Sequence, residues 1–253
     1  MSVVLNEAKE AERILEYGEV GGKPTATLFL LAKYYRQKKN MNKEQAVNEL
    51  NSFMTHYYKN YNPALWEDII EDISKKAVKY PLREIDHIEI THKEIETINT
   101  LPRLPHRKLL FTMLCYAKLY NKISENNNGW INTDIKEIYR VSRVTVKHRE
   151  DKFLFLNDLE RDGWISFSKK NDNLNIKVNF VDSELSDNIA LIVRDFRELG
   201  YEYLNYMGDG KFIRCKECGR LVGCKGNKKM YCTNCANKKE VDRKREIAYK
   251  YRK

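Results

Sequence analysis

Apolar residues recur at helical spacing through the first hundred residues, and polar signals cut them into separate helices. Residues 6–17 form an amphipathic stretch that Gly18, Gly21 and Gly22 bring to an end. Residues 25–38 place Leu28, Leu31, Ala32 and Tyr35 on one face. Asn42 with Gln45 three positions on is a capping signature that opens a helix over 43–56. Asn62-Pro63 supplies a cap and a first-turn proline for 64–79, which Pro81 stops. Thr91 with Glu94 opens a short helix reaching Ile98.

Past Pro102 and Pro105 the pattern changes. Residues 106–121 carry a continuous stripe of Leu109, Leu110, Met113, Leu114, Ala117 and Tyr120, with Cys115 on or beside it. Trp130-Ile131 predicts a short strand, and Asn132 caps a helix over 133–139. A longer helix is expected over 145–161, with Phe153, Leu154, Leu156 and Leu159 facing inward. Residues 164–168 and 174–180 alternate as two strands joined at 169–173. A further amphipathic helix is expected over 182–199, with Leu185, Ile189, Ile192, Val193 and Phe196 on one side and Gly200 as its stop. Gly208 and Gly210 then suggest a hinge that leaves the C-terminal segment partly mobile.

That segment carries the clearest chemistry. Cys215 and Cys218 form one Cys-x-x-Cys pair, Cys232 and Cys235 another, with thirteen residues between them. Each pair grips an ion from a single knuckle, and two pairs complete a closed tetrahedron, so one structural zinc ion is expected. Gly219 suits the tight turn after the first pair. Residues 220–222 and 229–231 are expected to be strands around a turn at 223–227. Disulfides are the alternative, disfavoured in a reducing compartment. Cys224, a fifth cysteine in the module, leaves one alternative in the ligand choice.

Charge gives this end of the chain a direction. Net charge is +10 overall, yet residues 211–253 alone hold 15 Lys or Arg against 4 Asp or Glu. The other 210 residues are therefore close to neutral. A basic helix is expected beyond Cys235, offering Lys238, Lys239, Arg243, Lys244, Arg245, Lys250, Arg252 and Lys253 to a polyanion. A merely solvated tail is the plainer reading.

Cys-x-x-Cys-Gly, then Lys-Met-Tyr-Cys-x-x-Cys-Ala, then a Lys/Arg-rich helix resembles the C-terminal zinc ribbons of phage and mobile-element proteins of low-GC Gram-positive bacteria. The stretch 129–182 is similar to winged-helix domains of DNA-binding regulators and replication proteins, and helix, strand, helix, helix, hairpin is the order of that fold. The expected architecture is mainly α with small β elements (α+β). It comprises a helical region (1–100), a winged-helix-like domain (101–182), a connecting helix and hinge (183–210), and a four-cysteine zinc ribbon with a basic helix (211–253). A helix-turn-helix offers the start of its last helix to the major groove, here Arg143, Thr145, Lys147, His148 and Arg149, with Lys169 and Lys170 in the wing. Glu150 and Asp151 dilute that surface, and a winged helix used for protein contacts or dimerisation is the alternative.

No enzyme is expected. The chain lacks a Gly-x-x-x-x-Gly-Lys-Ser/Thr phosphate loop and a His-Glu-x-x-His pair, and its five histidines are scattered. The first twenty residues do not read as a signal peptide, and the run 28–32 is too short to span a membrane, so a cytoplasmic location is expected. The expected partner is nucleic acid, duplex DNA before RNA, with a host or phage protein as the alternative and a homodimer open.

Overall fold

The computed structural model describes residues 3–169, 175–182, 188–226 and 228–250, apart from the side chain of Arg149. They form a mixed α+β chain dominated by helix. None of its described helices is long and apolar enough to cross a membrane.

The chain divides into two compact units, Val4–Asp86 and a second beginning at His87. The first is helical, as the capping signals predict. Asn6 accepts from the Lys9 amide at the start of α1 (Glu7–Tyr17), and Gly18 closes it in the left-handed region. Helix α2 (Pro24–Lys33) continues as a π-helical turn, Tyr34–Lys38. The reciprocal Asn42–Gln45 capping box opens α3 (Lys43–Tyr57), and Asn62 with Pro63 opens α4 (Pro63–Lys76). Leu28, Leu31, Leu50, Met54 and Ile70 make the core of this unit. Glu7 fastens its edge: it pairs with the buried Lys33 ammonium and accepts from the Arg83 amide at 2.8 Å.

The second unit is built around α6 (Leu104–Ile123), whose residues from Leu109 to Ala117 are all buried. A helix apolar on every side belongs at the centre of a domain, and α6 packs against elements from both ends of the unit. Before it come β1 (Ile88–Thr91) and α5 (His92–Asn99), opened by the Thr91–Glu94 capping box. Both belong to the second unit. After it come β2 (Trp130–Ile131), α7 (Ile135–Ser142), α8 (Arg149–Arg161), β3 (Ile165–Phe167) and β4 (Ile176–Val178). The three strands form one antiparallel sheet in the order β2-β4-β3.

Several local expectations are corrected. Helix α8 starts at Arg149, four residues later than expected, because Arg143 turns left-handed at φ 54° and ends α7. Three β-branched residues, Val144, Thr145 and Val146, then follow in the connection. On α8, Leu156 and Leu159 are buried, whereas Phe153 and Leu154 are exposed. The helix expected over 182–199 is absent from the described part. In its place β5 (Ile189–Val193) pairs antiparallel with β1, Ile88 opposite Val193 and Ile90 opposite Leu191. The segment is rich in β-branched residues whose spacing suits either period, and the free edge of β1 selects the strand.

Helix α9 (Leu199–Met207) follows, with Gly200 inside it rather than ending it. There the helix backbone meets α7 so closely that a Cβ on Gly200 would stand 1.9 Å from the Ser142 carbonyl oxygen. Tyr203 anchors the same helix: its ring lies 5.3 Å from Phe111, and its hydroxyl donates to Asn99 at 2.6 Å. Gly200→Ala is therefore expected to destabilise the second unit by about 1–3 kcal/mol, the usual cost of overpacking. Urea unfolding followed by circular dichroism measures this, and a midpoint equal to that of the parent chain would refute the close approach.

Candidate metal centre and basic surfaces

The C-terminal module begins with a hairpin. Strand β6 (Phe212–Arg214) pairs antiparallel with β7 (Leu221–Gly223), Ile213 opposite Val222. Strands were expected at 220–222 and 229–231. Only the first is found, and its partner is β6, so the first cysteine knuckle sits in the turn of the hairpin. The turn closes through Cys215 N–H donating to the Arg220 carbonyl at 2.9 Å and Gly219 N–H donating to the Cys215 carbonyl at 2.9 Å. Gly219 has φ 69°, which a side chain would resist. The second knuckle lies at the start of α10 (Thr233–Lys250). Lys216 N–H donates to the Met230 carbonyl at 3.0 Å, tying one knuckle to the approach of the other.

The four expected ligands meet. The sulfurs of Cys215, Cys218, Cys232 and Cys235 all lie within 4.8 Å of one another, and Cys218 and Cys232 are 3.8 Å apart. Tetrahedral thiolate ligation with bonds of about 2.3 Å requires sulfur–sulfur edges of about 3.8 Å. Cys224 stands outside the cluster, which removes the alternative in the ligand choice. The donor set therefore fits one closed tetrahedral metal site. Burial pushes the Cys215 thiol up, but the backbone amides of Cys218, Cys232 and Glu217 outweigh it and draw it down to about 6. Burial pushes Cys218 and Cys235 up, and for Cys235 the three neighbouring thiols add to it. A divalent ion would replace this mutual crowding by coordination.

Arginines fasten the module to the rest of its unit. Arg197 donates to the Cys218 carbonyl at 2.7 Å, so the first knuckle is held from the segment before α9. Glu198, which is 2% exposed, pairs with Arg143 on one side and lies 3.9 Å from Arg220 on the other. Arg214 pairs with Glu202 at 2.9 Å, and Tyr201 packs on Phe212 at 5.2 Å between ring centroids. Burial pushes the Glu202 carboxyl up, and Arg214 opposes that. Gly208 and Gly210 do adopt positive φ, but across the hinge expected there the module is docked through three arginines.

The expected nucleic-acid residues fall into three groups. Arg143 is committed internally: its guanidinium donates to Glu198 through two nitrogens and lies over the Tyr201 ring at 5.3 Å. Thr145, Lys147 and His148 precede α8, and the latter two line a groove of about 640 Å³ between the starts of α7 and α8. Lys136, Lys152 and Phe153 share that groove and were not anticipated, because only the fold brings α7 and α8 together. Lys169 is exposed after β3. On α10, Lys239 pairs with Glu217, Arg243 and Lys244 with Glu240, and Arg245 with Asp242. Lys238 and Lys250 also lie on α10. The Arg149 side chain, Lys170, Arg252 and Lys253 lie outside the described residues.

Cys232→Ser is expected to take the bound metal of the purified chain from one ion per molecule to near none, whereas Cys224→Ser keeps it at one. Elemental mass spectrometry reads both, and full retention in the first variant or loss in the second would overturn the ligand assignment. No protein-family model matches this chain, and no curated protein or solved structure matches it, so the case for its function rests on its own residues.

Proposed function

We propose that this chain is a non-enzymatic DNA-binding protein with one structural zinc ion, acting in transcription control or replication initiation of a phage or mobile element. The observation that carries the reading is the segregation of charge. Residues 211–253 hold 15 basic against 4 acidic residues, while the remainder is nearly neutral. A cationic end on a near-neutral body suits a polyanion and a binding energy that comes from counterion release.

The order α6, β2, α7, α8, β3, β4, with its three-stranded antiparallel sheet, supports a winged-helix reading. In that geometry the start of α8 approaches the duplex. The groove there supplies Lys136, Lys147 and Lys152 as backbone contacts, with His148 beside them. Arg143 serves that surface indirectly, by fixing the end of α7 through Glu198. Zinc is the ion of choice for a closed all-thiolate site with no open position.

One observation favours a second reading, an adaptor that binds a host protein. Helix α4 leaves Leu65 72% and Ile69 39% exposed. Apolar side chains of this kind suit a protein interface more than a phosphate backbone.

Fluorescence anisotropy of the zinc-loaded chain with random duplex DNA across a salt series separates the two. Binding is expected to weaken steeply, with log K falling by about 0.9 per phosphate contact for each tenfold rise in salt. Parallel titrations with single-stranded DNA and structured RNA identify the preferred nucleic acid. Absence of binding to all of them at low salt would sink the reading and favour the protein partner.

A further inference from the structure

The cysteine module divides its cations by residue type. Its two arginines on the hairpin each face a carboxylate: Arg214 meets Glu202 and Arg220 approaches Glu198. Its lysines Lys211, Lys216, Lys225, Lys228 and Lys229 are all exposed. The one acid of the hairpin, Glu217, is taken by Lys239 of α10. Among the described residues no carboxylate pairs with any of the five lysines; Lys229 donates only to the Gly223 carbonyl, at 2.8 Å, which leaves its charge uncompensated. Four of them, Lys211, Lys225, Lys228 and Lys229, surround Gly226 and line a shallow depression of about 550 Å³.

We propose that this lysine dish around Gly226 is the sugar-phosphate binding face of the module, and that it contributes more to nucleic-acid affinity than the basic helix α10. The inference rests on the nucleic-acid reading above. On α10, Lys239, Arg243, Lys244 and Arg245 each face an acid, so the field of that helix is partly cancelled. On the dish nothing cancels the field. Lysine is the residue suited to this work: it is a mobile point charge that follows a phosphate backbone without reading base edges. A lipid surface fits less well, because Met230 is the one large apolar side chain that the described residues of the hairpin and second knuckle expose. The dish therefore supplies affinity that does not depend on sequence.

Gly226 offers a direct probe. A Cβ there would meet nothing within 4 Å, so Gly226→Asp places a carboxylate among the four lysines without a steric clash. Anisotropy titrations with random duplex DNA across a salt series compare the parent chain with Gly226→Asp, with the triple variant Lys225→Gln/Lys228→Gln/Lys229→Gln, and with the α10 variant Arg243→Gln/Lys244→Gln/Arg245→Gln. Metal content and thermal midpoint confirm that each remains folded. The triple dish variant is expected to reduce the magnitude of the log K–log salt slope by about 2–3, and Gly226→Asp to weaken binding in the same direction. The three corresponding Lys→Arg changes should restore the slope, and the α10 variant should reduce it less. An unchanged slope in a folded dish variant, or a larger loss in the α10 variant, would overturn the dish while leaving nucleic-acid binding intact. A parent chain that binds no nucleic acid but binds vesicles containing anionic lipid would overturn both.

Discussion

The second unit depends on one buried carboxylate. Glu198 stands at the start of α9, with Arg143 at the end of α7 and Arg220 on the cysteine hairpin to either side. A carboxylate so removed from water needs its cationic partners, because an uncompensated buried charge is strongly unfavourable. That requirement locks three separately formed pieces into one arrangement. The metal module, the connection before α8 and the helix that crosses α6 all refer to the same side chain.

The same node commits Arg143 internally, although it was expected from the sequence among the first nucleic-acid contacts. Its left-handed backbone ends α7, and Lys108 donates to its carbonyl at 2.6 Å while the guanidinium is held by Glu198 and Tyr201. Gly200 completes the joint by letting α9 approach the Ser142 carbonyl directly. Close backbone packing, an ion pair and a left-handed residue thus converge within a few residues. Beyond them lies the groove lined by lysines of α7, α8 and the connection.

On the cysteine hairpin Arg214 and Arg220 face carboxylates, Arg197 reaches a knuckle carbonyl, and the lysine ammonium groups face water. This division follows from desolvation. Guanidinium is more weakly hydrated and satisfies fixed acceptors through several donors, whereas a buried ammonium holds its charge less readily. Lys108 shows the second half of the rule, since burial pushes its pKa down.

The sequence by itself determined several features that short-range chemistry specifies, although the cap expected at Asn132 falls to Asp134. The caps at Asn42, Asn62 and Thr91 each begin a helix, because a side-chain acceptor two or three residues from an unpaired amide is a local arrangement. The four metal-site cysteines were legible for the same reason, since two knuckles of fixed spacing need only one ion to meet. Tertiary structure decided what long-range pairing controls. Residues 189–193 carry a pattern compatible with helix or strand, and only the edge of β1, about a hundred residues away, selects the strand. Phe153 and Leu154 look like core by spacing, but the body covers α8 along Leu156 and Leu159, with Phe155 against His106. The roles of Arg143 and Gly200 were hidden too, because a charge partner and a backbone contact belong to residues distant in sequence, and only the folded chain brings those together.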